Sequence, residues 1–590
     1  MRILLLAHSF NSLTQRIWVD LREQGHTVSL ELDVNDAVTR EAVALFSPDV
    51  LVAPFLKRMI PEDIWRRLPC LVVHPGPEGD RGPAALDWAI LDAQTTWGVT
   101  VLQATADADA GPIAFSGRFP LRCARKSSLY RHEVTEMAAT GVTAALAALA
   151  AGHPFRPQTS PDPALPADPR FRAAPPPRFR AAPPQSRRRI DWTTETTAAI
   201  LRKIHSADGQ PGVIDAWAGQ SVRIFQAQAE TRLTGVAGQM LARHAGAVCR
   251  ATCDGALWIG QMCQVSAAPD TPALKLDAVR VLGTAAMALP DIASDWQEIR
   301  YQEAAEGVGF LHFPFANGAM DTNRCQRLEA ALATVAARAP RILVLAGGPD
   351  FWSNGINLNT IEAADSPADE SWANIVAMNR VVHALLTGFP QTLTIAALAG
   401  NAGAGGVFLA LAADRVWGRQ GVILNPHYKS MGNLYGSEYW TYVLPRRVGA
   451  ERAAAVMAGR LPMGCREALT LGLLDAILPA ESQAFAAAVA SQAAGLAADP
   501  ALPALLADKI RRQTADAGQK PLAAYAAEEL AQMRLNFYGF DPSYHVARYH
   551  FVFKIPKSRT PSFLALHRQQ PGATGEAGSA PSLAFESPFP

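Results

Sequence analysis

Short apolar runs at 2–7, 28–32, 49–53 and 71–73 are separated by stretches of helical periodicity. Leu13, Ile17 and Leu21 repeat in this way, and Gly25 is a natural stop. The fourth run ends at His74, further runs follow at 99–104 and 112–119, and an Ala-rich helix is predicted over 128–152. This βα order predicts an α/β domain over 1–154, a Rossmann-like open sheet, mostly parallel, with helices on both faces. Ligands of such sheets sit at the carboxyl ends of the strands, where His74 falls. The pattern then stops. Residues 155–188 are rich in Pro and Arg, and Arg-Phe-Arg-Ala-Ala-Pro-Pro occurs twice, at 170–176 and 178–184. The segment reads as a linker with too little apolar surface to fold, and the repeat as slippage in a tolerated stretch. A small β-rich domain is expected over 189–270, with a helix over 194–205 and strands over 220–227 and 255–259. Alternation returns at 298 and continues to 480, followed by helices and an aromatic stretch ending at Lys554. The third domain is placed at 298–565 and a disordered tail at 566–590.

Composition narrows the class. The chain has 590 residues, 49% hydrophobic and 18% charged, with a formal net charge of +1. That balance offers no electrostatic argument for nucleic acid or an anionic membrane as partner. The N-terminal apolar run is too short for a signal peptide, and no strongly apolar stretch of about 20 residues occurs. Seven scattered cysteines fit reduced thiols in a cytoplasmic protein, and the group Cys249, Cys253 and Cys263 matches no standard zinc spacing. No metal site is expected.

Candidate chemistry begins at His74-Pro-Gly-Pro-Glu-Gly-Asp-Arg-Gly82, with Gly98-Val-Thr-Val101 and Ala108-Asp109-Ala-Gly-Pro112 after it. A rigid loop holding an imidazole at a sheet edge, with a carboxylate able to orient it, suits acyl transfer. These segments resemble the formyltransferases that use N10-formyltetrahydrofolate, and 189–268 resembles their C-terminal barrel. The resemblance puts His74 and Asp109 on the catalytic His and Asp. It puts Val72 on the catalytic Asn, which argues against ordinary amine formylation. A thiol acceptor would need less help from a strong base. Asp80 and Arg81 lie in a loop unlike the family's and are candidates for the missing function. Gln15 and Arg131 are candidates for lining the cleft.

Three segments of the third domain resemble the crotonase (enoyl-CoA hydratase/isomerase) family, in the family's order. They are Phe351-Trp-Ser-Asn-Gly-Ile-Asn-Leu358, Ala399-Gly-Asn-Ala-Gly-Ala-Gly-Gly406 and the stretch from Arg460 to Ile477. The resemblance implies a ββα spiral domain and an oxyanion hole for a thioester carbonyl, made by the N–H groups of Ile356 and Gly405. Losing one such donor typically costs about 3 kcal/mol of transition-state stabilisation. The two glutamates that activate water in hydratases fall on Phe408 and Tyr428. Glu438 follows within Tyr435-Gly-Ser-Glu-Tyr-Trp-Thr-Tyr442, where Ser437 is expected to cap a helix with Glu438 in its first turn. Tyr428 and Glu438 are therefore the candidate acid/base pair, and Arg460, Arg548 and Lys554 the candidate cations for coenzyme A phosphates.

A formyltransferase-like front joined to a crotonase-like back resembles the HypX/HoxX hydrogenase maturation proteins over almost the whole chain. That resemblance implies transfer of a formyl group from N10-formyltetrahydrofolate to coenzyme A, then splitting of formyl-CoA into CO and CoA for the [NiFe]-hydrogenase metal centre. Small-molecule substrates are implied, with the hydrogenase large subunit or its maturation factors as partners. Two other readings stay open: a formyltransferase to a small amine or sugar with a CoA-thioester hydrolase attached, and a non-catalytic assembly scaffold.

Overall fold

The computed structural model describes residues 1–158, 178–265 and 274–569. The first sheet runs Thr27–Leu32, Arg2–Ala7, Val50–Phe55, Cys70–His74, Thr96–Gln103 and Ile113–Pro120 in spatial order. Its first four strands are parallel, and the last two pair antiparallel. The parallel strands read as almost continuous apolar runs because both faces are covered, as in other doubly wound sheets. Ser12–Glu23 and the long helix ending Thr135–Ala150 pack on one face. Asp36–Phe46 and Glu62–Trp65 pack on the other.

Beyond it, Val213–Trp217, Gln220–Glu230, Met240–His244, Ala247–Ala251 and Ala256–Gln264 form an antiparallel sheet, with Leu276–Asp277 pairing to the last. The third domain has a six-stranded sheet ordered Arg300–Glu303, Val308–His312, Ile342–Ala346, Leu393–Leu398, Arg415–Arg419 and Ala476–Leu478. A three-stranded parallel sheet of Phe351–Ser353, Asn401–Gly403 and Leu424–Asn425 stands beside it. Helices from Ser482 to Val552 wrap the outside. Among the described residues no helix is long and apolar enough to cross a membrane.

Two expectations change. The segment placed as linker holds structure over 178–188: Arg178–Phe179 pairs with Asp80–Arg81, and Arg188 is 1% exposed with its guanidinium on Asp87. Low apolar content did not prevent folding, because buried ion pairs and a strand pairing anchor the segment instead. The first copy of the repeat lies outside the described residues. The start of the expected tail is structured. Leu566–Arg568 is a helical turn docked on the first domain, and residues 570–590 lie outside the described ones.

The first and third domains share a core. Ile423 and Leu461 of the third domain, with Phe563 and Leu564, pack among Ile3, Ile17, Trp18 and Leu30 of the first. Arg16 donates to the carbonyl of Gly421, and Asp350 accepts from Arg125 and Ser128.

Candidate functional site

His74 closes a central strand and is 3% exposed. Its Nε2 lies 2.9 Å from an Asp80 oxygen and its Nδ1 3.4 Å from an Asp109 oxygen. Burial works to lower the imidazole pKa, but Asp109 and Asp80 outweigh it and set it at about 9. The ring is thus a cation near neutral pH, hydrogen-bonded to Asp80 and ion-paired with Asp109. Gly76 allows this, since a Cβ there would lie 2.5 Å from His74 Nε2 and 2.6 Å from Asp80. Asp109 has left-handed backbone (φ 53°) and accepts from the Gly82 N–H at 3.0 Å. Burial would raise its pKa, yet His74, the Gly82 N–H and Arg81 hold it below the usual carboxylate range.

Asp80 is clamped from the far side. Arg180, in the second copy of the repeat, donates to its other oxygen at 3.0 Å and to Asp92 at 3.0 Å. Arg81 reaches Gln158, which in turn donates to the Asp109 and Gly111 carbonyls. The Arg81 Nε is buried with no partner among the described residues. Val72 lies two residues from His74 on the same strand, hence on the same face, and offers no donor.

Glu438 forms the second centre. It is 1% exposed, and its carboxylate accepts from the Tyr428 hydroxyl at 2.6 Å. Burial raises the Glu438 pKa to about 8 against the Tyr428 bond, and the nearby Glu529 adds to the rise. The Tyr428 hydroxyl is pushed well above its ordinary value by burial and by Glu438. Gly405 opens the helix Gly405–Leu411, so its N–H lacks a partner within that helix. A Cβ on Gly405 would lie 2.1 Å from the Glu438 carboxylate, and one on Gly355 would lie 3.3 Å from the Gly405 N–H. The two turns carrying Ile356 and Gly405 therefore abut beneath Glu438. Phe408, fully buried, stacks on Tyr428 at 5.3 Å and makes an apolar wall where hydratases hold a glutamate.

Ser437 does not cap the helix. Its hydroxyl donates to Asn379, and the helix starts later, at Trp440. Glu438 and Tyr439 precede that helix, both in left-handed backbone. The capping carboxylate comes from Glu529, which accepts from the N–H groups of Tyr439 and Thr441.

The remaining candidates scatter. Gln15 accepts from Asn425, three residues before Tyr428, and so lies between the two centres. Arg131 sits over the Phe351 ring at 4.4 Å and lines a cleft between the three domains with Arg125, Asp208 and Lys275. Lys554 lies within electrostatic range of Lys275. Arg460 adjoins His427, whose pKa is pushed to about 4 by burial and by that charge. Arg548 is buried, with Nε on Glu362 at 2.7 Å, so its charge is already matched. Asp80 and its anchor Arg180, together with Asn379 and Glu529, complete the two centres. Glu529 and Asn379 carry no sequence signal, since each stands alone on an ordinary amphipathic helix.

Comparison with known proteins agrees with this division. Residues 306–532 match the enoyl-CoA hydratase/isomerase family and residues 184–268 the formyl transferase C-terminal domain. The hydrogenase maturation factor HoxX of Bradyrhizobium diazoefficiens is 53% identical over 96% of this chain and 97% of its own. The crystal structure of HypX from Aquifex aeolicus in complex with tetrahydrofolic acid superposes with a TM-score of 0.90 at 42% identity. It covers 96% of this chain and 99% of that one. A variant of the same Aquifex protein gives 0.91 over the same shares, also at 42% identity. With its two buried centres carried on formyltransferase-like and crotonase-like domains, the chain belongs to the HypX/HoxX family of hydrogenase maturation factors.

Proposed function

We propose that the protein makes carbon monoxide for the active-site metal of a [NiFe]-hydrogenase in two steps. The first domain takes the formyl group of N10-formyltetrahydrofolate and passes it to the thiol of coenzyme A. The C–S bond forms, the N10–C bond breaks, and the thiol proton ends on N10. The relative solved with tetrahydrofolic acid supports folate here. A cationic His74 stabilises the oxyanion that develops on the formyl oxygen, and Asp109 holds the ring in place. Arg131 and Lys275 line the cleft, Lys554 acts electrostatically on Lys275, and these three are the proposed seat of the CoA phosphates.

In the second step the Ile356 and Gly405 N–H groups hold the formyl oxygen of formyl-CoA. The formyl proton leaves to the Tyr428–Glu438 pair, the C–H electron pair becomes the carbon lone pair of CO, and the C–S pair departs with sulfur. The same pair returns a proton to the thiolate. Atoms balance without water or an oxidant. The observation that carries this reading is the buried 2.6 Å Tyr428–Glu438 contact directly over Gly405, with Phe408 in place of a water-activating glutamate. A carboxyl with a pKa of about 8 is matched to proton transfer near neutral pH.

The test supplies the protein with N10-formyltetrahydrofolate and CoA and detects CO with a haem probe. CO is expected from the wild type. The Glu438→Gln variant should form formyl-CoA but release no CO, and undiminished CO from that variant would overturn the assignment. Formate alone would point to a thioester hydrolase, and binding without turnover to a scaffold.

A further inference from the structure

Glu438 stands on a turn of unusual shape. It and Tyr439 are consecutive non-glycine residues with φ of 61° and 58°, a conformation that L-residues seldom keep without outside support. Two separate helices supply that support. From Pro367–Thr387, Asn379 Oδ1 accepts from the Ser437 hydroxyl at 2.9 Å and from the Glu438 N–H at 2.7 Å. From Leu522–Tyr538, Glu529 accepts from the Tyr439 N–H at 2.9 Å, the Thr441 N–H at 2.8 Å and the Thr441 hydroxyl at 2.5 Å. Glu529 is fully buried, and no ion pair reaches it among the described residues.

A carboxylate suits this position chemically. The Tyr439 and Thr441 N–H groups and the Thr441 hydroxyl are all donors, and the Ser437 hydroxyl is also near, so an ionised carboxylate suits them together. A carboxamide would turn its NH2 toward one of them. The charge has a second effect, because an unpaired buried anion also acts on any carboxyl close by. Burial and then the proximity of Glu529 raise the Glu438 pKa, and burial raises that of Glu529 to about 7. The other titratable groups in range of Glu438 are Tyr428 and the thiol of Cys325 on Thr322–Arg338, which Glu438 pushes up in turn. No cation is among them.

We propose that Glu529 is a positioning residue for the splitting of formyl-CoA. It fixes the Glu438 turn from a different helix than Asn379, and acts on Glu438 through its charge as well as through the turn. This rests on the decarbonylation reading above. Glu529 touches no substrate in this role. It sets the angle at which Glu438 overhangs Gly405 and couples the titration of the two carboxyls.

The experiment feeds formyl-CoA directly to full-length wild type, Glu529→Gln, Glu529→Asp and Asn379→Ala, and follows CO release across the pH range. Glu529→Gln is expected to lower kcat at least about tenfold with little change in KM. It should also move the Glu438 limb of the pH profile down by about one unit, because a like charge has gone. Glu529→Asp should return the limb toward its wild-type position, while Asn379→Ala should lower kcat without moving it. Formation of formyl-CoA from the folate should be unaffected in all three. An unmoved limb in Glu529→Gln would overturn the proposal, as would equal losses in both reactions that track a lowered melting temperature. No CO from the wild type would remove the decarbonylation reading itself, which separates the two failures.

Discussion

At the scale of residues, the second centre depends on one missing methyl group. Gly405 leaves room for the Glu438 carboxylate, which otherwise would meet a Cβ at 2.1 Å. Gly405→Ala should therefore fold but displace Glu438, cutting CO release by about 10²–10³-fold while formyl transfer continues. Parallel assays of the two half-reactions check this. His74, Asp109, Tyr428 and Glu438 were all legible in the sequence, because each sits at a family motif or beside one. Their states were not. The cationic character of His74 comes from having a carboxylate on each ring nitrogen, and Asp80 became its partner only when the loop folded back. Ser437 illustrates the opposite error. Local sequence offered a helix cap, but a buried carboxylate 88 and 90 positions away in the chain claimed the N–H groups.

Among elements, the second repeat carries the largest revision. Its Arg178–Phe179 strand lies along Asp80–Arg81, and Arg180 fixes Asp80 against His74. Gly82 permits the close fit, as a Cβ there would lie 2.2 Å from the Arg180 carbonyl. Arg180→Ala should loosen Asp80 and slow formyl transfer by roughly 10–100-fold. CO release from supplied formyl-CoA should be unchanged. Equal effects on both reactions would deny the strap its role. Composition hid this element because compositional arguments count apolar surface, whereas the strap is anchored by ion pairs to Asp80, Asp92 and Asp87. The regular elements were easier to read. Runs at 2–7 and 342–346 are strands as expected, since buried parallel strands leave an unbroken apolar signature.

For the whole molecule, the C-terminal segment closes the chain on its beginning. Leu30 N–H donates to the Leu564 carbonyl, so residues 560–568 cover the outer edge of the first sheet. Fully buried Glu31 accepts there from Thr560, His567 and Arg568. Burial would raise the Glu31 pKa, but those three partners hold it below the usual range. Their stabilisation is present above the ordinary carboxyl pKa and is lost as pH falls below it. Ending the chain at residue 558 would strand that carboxylate and should cost roughly 3–5 kcal/mol, measurable by denaturant unfolding. Nothing in the sequence pairs Glu31 with His567, because the contact joins opposite ends of the chain. The segment from Ile423 to Tyr428 has a different consequence. Ile423 lies in the core of the first domain, Asn425 bonds Gln15, and Tyr428 serves the second centre. One short stretch thus ties the first domain's core to the second centre, and on the proposed reading it fixes the separation of the two reactions. If formyl-CoA passes between the centres as proposed, it meets the second at an effective concentration set by that geometry, so coupling should not weaken when the enzyme is scarce.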